Sequence, residues 1–306
     1  MRYRALLLVG ACLGLMGCGA GNAPPLVVFA AGSLARSLGA AADSFAARTG
    51  QVVSVEPAGS LDLARRITEL GQVPDVIALA DEDVFPKLLM PAHVTWYARF
   101  ARNRMVLARA ADRPSVQADS GWWQAIMGSA ARVGRSDPDL DPGGYRALML
   151  FDLAERHLAR PGLAASLLAA SPPKYVRPKS AELVALLQAG ELDYAWMYES
   201  SARGARLPFD TFAVAIDLSR EADSTWYATS AVRVAGAARG DTIEVRGAPI
   251  RYGLSIPIAA PRAAAGAKFV EFLLSEDGRR ILASEYLDVL ARPMIVGQGA
   301  PASLNP

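Results

Sequence analysis

The sequence predicts an α/β protein with two lobes, each built on a doubly wound sheet, and a ligand cleft between them. Segments typical of the strands that parallel sheets bury, such as the apolar run 26–30 and the segment 74–80, alternate with segments of helical periodicity. A second alternating pattern begins after the segment 103–108. Such alternation indicates doubly wound sheets, in which ligands gather at the carboxyl ends of the strands. The roughly 280 residues that follow the N-terminal segment suit two domains of ordinary size.

The N-terminal part of the first lobe shows a repeated strand-turn-helix pattern. A strand at 26–30 leads through Ala31-Gly32-Ser33 into a helix that Gly50 is placed to end. The next strand, near 52–55, leads through Ala58-Gly59-Ser60 into a second helix. Both Gly-Ser turns are therefore expected at the ligand-binding edge of the sheet.

The second lobe is predicted at residues 108–245, and the first lobe combines residues 26–107 with 246–306. Within the second lobe, helices are predicted at 145–157 and 180–188, and a strand at 193–198. Strands at 243–245 and 250–256 precede one long helix whose inward face holds Phe269, Phe272, Leu273 and Ile281. Two crossings between the lobes would form a hinge.

The chain begins with features of an export signal and a tether. Residues 1–17 contain two arginines and then an apolar run that is too short to span a bilayer. The segment that ends in Cys18 resembles a lipobox, after which bacterial lipoproteins are cleaved and acylated on the cysteine. We expect residues 18–25 to form a flexible lipidated tether. An ordinary signal peptide is the alternative.

Charge and cysteine content exclude several classes of function. Removing Arg2 and Arg4 from 32 basic residues leaves 30 against 30 acidic residues, so no basic field for nucleic acid remains. Cys12 would leave with the signal and Cys18 would be acylated, so no thiol pair is left for a disulfide or a metal. The two histidines are not at metal-ligand spacing. We expect a monomer without a cofactor.

Ser33 and Ser60 each lie where a strand passes into a helix. The first turn of a helix offers unpaired N–H donors and the positive end of the helix dipole, so several helix starts together can bind an anion. Each hydroxyl can donate to the same anion. The alternative is that each serine caps its own helix.

The second lobe offers matching elements. The turn-rich segment 136–145, with Gly143 and Gly144, opens onto one predicted helix, and Lys179-Ser180 opens another. Asp141 either caps a turn or helix, or binds the ligand. A carboxylate repels a dianion, so it makes sense as a ligand only if it meets the central atom or a protonated oxygen.

Two further side chains in the second lobe are candidates for contact with an anion. Tyr198 ends a predicted strand, where its phenol either donates into the cleft or packs at the strand end. Arg146 has the charge and length to reach an anion, but its place in a helix favours the helix surface.

Eight segments, in order, resemble the periplasmic molybdate- and tungstate-binding proteins of ABC transporters, especially the branch first described in archaea. These segments are 29–34, 57–60, 75–81, 96–107, 136–146, 177–180, 193–198 and 269–278, and the resemblance covers nearly all of 26–296. It implies a type II periplasmic-binding-protein fold that closes on its ligand. It also implies oxyanion contacts from Ser33, Ser60, Pro142-Gly143-Gly144, Ser180 and Tyr198.

In the archaeal branch two carboxylates can bind the metal of the oxyanion and make it six-coordinate. Asp141 matches one of them, so the resemblance implies a bond from Asp141 to molybdenum or tungsten. The second position is Met197 here, and Glu199 is the possible substitute two residues away. Molybdenum and tungsten can expand their coordination whereas sulfur cannot, so such a carboxylate would reject sulfate.

The resemblance therefore implies an exported, lipid-anchored protein, at the periplasmic face or cell surface, that delivers molybdate or tungstate to an ABC permease. The alternative is the same fold binding another small anion such as sulfate, which Met197 keeps open. The residues themselves disfavour an enzyme, because the sequence contains no Gly-x-Ser-x-Gly elbow and no Walker loop.

Overall fold

The computed structural model of the chain describes residues 24–116, 121–127 and 130–304. The predicted signal peptide and Cys18 lie outside the described residues, as does most of the predicted tether. The described chain contains a six-stranded sheet, a five-stranded sheet and a two-stranded ribbon, with helices packed around them. The predicted α/β class is confirmed. None of the helices described is long and apolar enough to cross a membrane.

The strands are β1 (Leu26–Ala31), β2 (Val53–Ala58), β3 (Val76–Leu79), β4 (Trp96–Asn103), β5 (Met105–Arg109), β6 (Val133–Ser136), β7 (Val176–Arg177), β8 (Tyr194–Tyr198), β9 (Phe209–Thr211), β10 (Ala231–Ala235), β11 (Thr242–Arg246), β12 (Ile250–Ser255) and β13 (Asp288–Gly297). The α-helices are α1 (Ala35–Thr49), α2 (Ser60–Thr68), α3 (Trp122–Met127), α4 (Pro142–His157), α5 (Leu163–Ala170), α6 (Ser180–Gln188), α7 (Glu199–Gly204), α8 (Ser224–Tyr227), α9 (Ala263–Leu274) and α10 (Glu276–Ser284).

The first lobe is built on the six-stranded sheet, in the order β13-β4-β12-β3-β1-β2. β1 pairs in parallel with both β2 and β3, so the carboxyl ends of these three strands meet at one edge. β1 and β3 are almost wholly apolar and buried, as predicted for strands covered on both faces. Gly50, with φ of 76°, ends α1 as expected, because only glycine adopts this left-handed conformation without strain.

The second lobe is built on the five-stranded sheet, in the order β7-β6-β8-β5-β9. Successive residues of its central strand β8 pack into two different clusters. Tyr194, Trp196 and Tyr198 join the large apolar core, whereas Ala195 and Met197 face a smaller cluster that contains residues of α6. This alternation follows from the two-residue period of a strand and decides which side chains of β8 face the cleft.

The chain passes between the sheets at Asn103, the last residue of β4, and Met105, the first residue of β5. This change of sheet comes a few residues before the predicted boundary at 107/108. The Met105 amide donates to the Asp217 carbonyl at 2.9 Å, and the Ile250 amide donates to the Leu218 carbonyl at 2.8 Å. The outgoing and returning segments therefore both bond to residues 217–218 and lie close together at the hinge.

The predicted long C-terminal helix is wrong, because the segment forms two helices, α9 and α10. Ser275 lies between them in an extended conformation, with ψ of 167°. Its hydroxyl accepts a hydrogen bond from the Gly278 amide at 3.2 Å and so caps α10. Ser275 followed by two acidic residues is a helix-start signal that the apolar periodicity concealed.

Candidate ligand site

The two Gly-Ser turns of the first lobe contact the two helix starts of the second lobe. A Cβ added to Gly32 would lie 3.5 Å from the Ser180 hydroxyl oxygen. A Cβ added to Gly59 would lie 2.1 Å from the Leu140 carbonyl oxygen, and the Leu61 amide donates to that oxygen at 3.1 Å. The lobes are therefore closed on each other at the edge where the sequence predicted a site.

Ser33 and Ser60 both accept hydrogen bonds through their hydroxyl oxygens. The Tyr252 hydroxyl donates to Ser33 Oγ at 3.0 Å, and the Ala80 amide donates to Ser60 Oγ at 3.0 Å. In the described chain neither hydroxyl caps α1 or α2. Because a hydroxyl has a single proton, accepting these bonds leaves that proton for donation to an acceptor in the cleft.

Asp141 joins the starts of two helices in the second lobe. Its carboxylate accepts a hydrogen bond from the Gly143 amide at 2.8 Å and so caps α4. The Ser180 amide at the start of α6 and the Ser136 hydroxyl also lie near the carboxylate and favour its ionised form. The side chain is buried, and burial raises its pKa to about 6 despite these donors. The capping role that the sequence suggested is therefore present.

The amides of Gly143 and Gly144 are both engaged by Asp141. Gly143 N–H donates to the carboxylate, and Gly144 N–H donates to the Asp141 carbonyl at 2.8 Å. A Cβ on Gly144 would lie 2.6 Å from the Ser136 carbonyl oxygen, so only glycine fits this close approach. The two glycines thus shape the turn and hold Asp141. The protons that remain unengaged are those of the Ser33 and Ser60 hydroxyls.

Tyr198 places a phenol in the interior between the lobes. The residue is 2 % exposed, and its hydroxyl is buried without a hydrogen-bond partner among the described residues. Its ring lies 6.0 Å from that of Tyr252, nearly perpendicular to it. Burial raises the pKa of Tyr198 well above its ordinary value, so the hydroxyl keeps its proton. A ligand that offers an acceptor oxygen would satisfy this donor.

Arg146 lies in the interior and not on the helix surface, so that expectation is wrong. It is 2 % exposed, and its Nη2 lies 2.9 Å from Asp81 Oδ2 of the first lobe. Its Nη1 donates to the Ala248 carbonyl at 3.1 Å. The reason is that α4 is packed between the two lobes, and a helical pattern cannot reveal a second buried face of that kind.

Met197 and Glu199 do not place a second carboxylate beside Asp141. Met197 is 1 % exposed and packs with Leu183 and Leu187 on the side of β8 opposite to Tyr198. The Glu199 carboxylate forms ion pairs with Arg104 and Arg203. Although burial opposes it, hydrogen bonds from these arginines lower the Glu199 pKa. Glu199 is thus occupied as an arginine partner near the hinge.

Two site residues were missed in the sequence. Tyr252, on β12, donates to Ser33, and Asn103 Nδ2 donates to the Tyr252 hydroxyl at 2.8 Å and to Ser200 Oγ at 2.7 Å. This network connects the hinge segment to a serine of the site. Ser33 and Tyr252 are 219 positions apart, and no local pattern signals such a contact.

These features define a class of protein, a two-lobed binding protein whose lobes are closed on each other, with hydroxyl groups of both lobes between them. The chain belongs to the bacterial extracellular solute-binding protein family, whose model matches residues 26–286.

Three proteins of known source are similar to this chain in sequence. An uncharacterized solute-binding protein of Petrotoga mobilis is 36% identical, with 84% of this chain and 81% of the relative covered. A putative ABC transporter molybdenum-binding protein of Haloferax volcanii is 36% identical over 76% of this chain and 72% of the relative. The molybdate/tungstate-binding protein WtpA of Pyrococcus abyssi is 28% identical over 97% of this chain and 95% of the relative.

Solved structures share the fold at lower identity. The periplasmic molybdate-binding protein of Azotobacter vinelandii aligns with a TM-score of 0.60 at 18% identity and covers 86% of this chain and 98% of its own. The sulfate-binding protein SubI of Mycobacterium tuberculosis aligns with a TM-score of 0.59 at 14% identity and covers 92% of this chain and 88% of its own. Both likenesses support the two-lobed fold.

Proposed function

We propose that this chain is the substrate-binding component of an ABC importer and captures molybdate or tungstate in the cleft between its lobes. The observation that carries the proposal is the buried Tyr198 hydroxyl, which lacks a partner within the described chain and lies between the lobes, where its ring packs against Tyr252, the residue bonded to Ser33. A tetrahedral oxyanion has enough acceptor oxygens to bond donors from both lobes at once. The names of the Haloferax and Pyrococcus relatives support this ligand class.

The donor set favours a fully deprotonated oxyanion. The hydroxyl groups of both lobes have protons to donate, so they favour a ligand with acceptor oxygens. A protonated ligand oxygen would find few acceptors. Asp141 is the carboxylate at the site, and as an ionised group it is compatible with a dianion if it binds the metal atom. Molybdenum and tungsten can accept such a bond and sulfur cannot, so Asp141 would provide discrimination against sulfate.

Sulfate or another small anion is the second candidate ligand. Met197, packed in the core of the second lobe, favours it because it leaves Asp141 without the second carboxylate of the archaeal branch. With a single carboxylate, discrimination depends more strongly on pocket size and on the hydroxyl donors.

Isothermal titration of the chain expressed from Gly19 tests the proposal, with tungstate, molybdate, sulfate and phosphate added in turn. We expect the heat of titration to show tight one-to-one binding of tungstate and of molybdate. A large excess of sulfate or phosphate should give no heat of binding. Tight binding of sulfate alone would favour the second candidate. If none of the four anions gives a heat of binding, the oxyanion proposal is wrong.

Asp141→Ala should relax the discrimination against sulfate if the carboxylate meets the metal. The ratio of tungstate to sulfate affinity is expected to fall by at least roughly tenfold, because the variant loses the one interaction that sulfur cannot make. The measurement is competition of sulfate against bound tungstate. An unchanged ratio would assign Asp141 to capping α4 alone.

We also propose export, lipid anchoring on Cys18 and a role without catalysis, with a permease as the protein partner. The lipobox-like segment and membership of an extracellular solute-binding family support export. Detergent partitioning of the full chain and of Cys18→Ala in a bacterial host tests the anchor. The lipid is supported if only the parent chain partitions into detergent. Absence of turnover of chromogenic esters and phosphates is the expected result for a protein without catalysis.

A further inference from the structure

Asp81, Tyr145 and Arg146 form a buried polar cluster between the two lobes. Asp81 follows β3 in the first lobe, whereas Tyr145 and Arg146 lie on α4 in the second lobe. Asp81 Oδ2 lies 2.9 Å from Arg146 Nη2 and accepts a hydrogen bond from the Tyr145 hydroxyl at 2.5 Å. The side chains of Arg146 and Asp81 are 2% and 6% exposed. One carboxylate oxygen thus binds two donors from the opposite lobe.

Each side of the cluster is also fixed within its surroundings. Asp81 Oδ1 accepts from the Asp83 amide at 3.0 Å, which holds the carboxylate in the first lobe. Arg146 Nη1 donates to the carbonyl of Ala248, on the segment through which the chain returns to the first lobe. Arg146 therefore contacts the first lobe and the hinge at the same time.

We infer that Asp81, Tyr145 and Arg146 are a closure latch, a set of positioning residues that stabilises the closed arrangement of the lobes behind the ligand. In an open cleft Asp81 and Arg146 separate and are hydrated. Closure removes both charges from water, and their mutual contact is the charge–charge interaction that offsets that loss. Removing one partner leaves the other charge buried and unpaired, so it opposes closure. The effect on oxyanion affinity rests on the proposed function, whereas the effect on closure does not.

An ion pair inside one lobe provides a matched control. Asp75 is fully buried, pairs with Arg262 at 2.6 Å and accepts from the Val27 amide at 2.8 Å. All three residues belong to elements of the first lobe or its flanking turns. Asp75→Asn therefore makes the same chemical change as Asp81→Asn without altering a contact across the cleft.

A disulfide across the cleft reports closure without any ligand. A Cβ on Gly32 would lie 3.6 Å from Lys179 Cβ, within the range of about 3.5–4.5 Å that disulfides require. The chain expressed from Gly19 contains no cysteine of its own, since Cys12 and Cys18 precede it. In the variant Gly32→Cys/Lys179→Cys, the rate of disulfide formation under a fixed oxidant therefore measures how often the lobes close.

In this cysteine background we expect Asp81→Asn to slow cross-linking by roughly tenfold or more, because closure then buries an unpaired Arg146. Asp75→Asn should lower the thermal midpoint but leave the cross-linking rate unchanged. The double variant Asp81→Asn/Arg146→Met, which removes both charges, should recover much of the rate. Circular dichroism verifies that each variant is folded. If Asp81→Asn does not fold, Tyr145→Phe is expected to slow cross-linking by a smaller factor of roughly three to five.

Titration of tungstate into the same variants without the cysteines completes the test. The apparent affinity should fall by the factor measured for closure, since affinity scales with the population of the binding-competent state. Equal cross-linking rates for Asp81→Asn and the parent chain would overturn the latch. If the parent chain binds no oxyanion, the proposed function fails while the cross-linking rates still decide the latch.

Discussion

Tyr198 carries a buried hydroxyl that an oxyanion in the proposed site would pair. An unpaired buried hydroxyl costs about 1–3 kcal/mol, and the Tyr198 hydroxyl has no partner in the described chain. Its neighbours on the same face of β8 are core aromatics, so the strand fixes the direction of the phenol. The same donor that weakens the free chain is therefore available to strengthen the complex.

Tyr198→Phe should accordingly separate stability from binding. We expect the thermal midpoint of the free chain to stay the same or rise slightly, and the affinity for tungstate to fall by about tenfold to a hundredfold. Differential scanning fluorimetry and titration calorimetry measure the two quantities. Tyr194→Phe, in the same strand, is the control and should leave affinity unchanged. A parallel loss of stability and affinity would show that the hydroxyl is structural.

Asp141 gives the free chain a pH-dependent stability. Its pKa is raised from 3.8 to about 6 by burial, so the folded chain holds this proton more tightly than the unfolded chain. Ionisation of Asp141 therefore removes stability as the pH rises from about 4 to about 6, and that loss is complete at higher pH.

Asp141→Asn cannot ionise but keeps an oxygen that accepts from Gly143. Relative to the parent, its free energy of unfolding should rise by about 1–3 kcal/mol between pH 4 and pH 7, which corresponds to several degrees in thermal midpoint. Thermal unfolding across this pH range measures the difference. A difference that does not vary with pH would exclude Asp141 as its source.

At the scale of elements, the β2–α2 turn requires a glycine because it contacts the opposite lobe. A Cβ on Gly59 would overlap the Leu140 carbonyl, whereas a Cβ on Gly39, within α1, meets nothing within 4 Å. The same glycine-to-alanine change can therefore be made at one position where the Cβ clashes and at another where it meets nothing. The comparison between them isolates the contact between the lobes.

Gly59→Ala should therefore hinder closure without unfolding either lobe. We expect tungstate affinity to fall at least roughly tenfold while the thermal midpoint of the free chain changes little. Gly39→Ala should keep the affinity and raise stability by about 0.5–1 kcal/mol, as expected for a glycine replaced within a helix. Calorimetric titration and thermal unfolding of both variants decide the matter. Equal affinities in the two variants would contradict this account of the turn.

Helix α4 shows why some elements can be located from sequence while their orientation cannot. Its apolar period and turn-rich start predict a helix near 145–157, and the structure extends it to Pro142–His157. The same period places Arg146 on a polar face, yet Arg146 is buried because the first lobe covers that face. A periodic pattern reports that a residue is polar, and only the packing of a second lobe reports that it is buried and paired.

At the scale of the whole molecule, two contacts between the lobes describe a closed state. Leu61 bonds to Leu140, and Asp81 pairs with Arg146. A ligand that bonds both lobes stabilises this state over an open one. We expect the radius of gyration from solution scattering to fall when tungstate is added. At a ligand concentration about a hundred times the Kd, stabilisation of about 2.7 kcal/mol should raise the thermal midpoint by roughly 5–10 °C.

Sulfate at the same concentration is the control for the whole-molecule prediction, and it should change neither the radius of gyration nor the thermal midpoint. A midpoint that rises with tungstate while the radius stays constant would indicate a free chain that is already closed. An equal response to sulfate would indicate binding without the discrimination attributed to Asp141.

The sequence by itself determined the α/β class, the helix α6 and the positions of Ser33, Ser60 and Ser180 at the starts of helices. These properties depend on local chemistry: apolar runs form buried strands, and glycine and serine mark the turns between strands and helices. For Asp141 the sequence left two roles open, a cap or a ligand, and the structure shows the cap of α4.

Only the tertiary structure decided which of these residues meet and how each is paired. Asp81 and Tyr145 are 64 positions apart, and their contact depends on the order of strands in the sheets and on the hinge. The same holds for Tyr252 and Ser33, and for the packing of Met197 away from Tyr198. Local patterns record whether a residue is apolar or polar, but which residues it contacts is set by the arrangement of the whole chain.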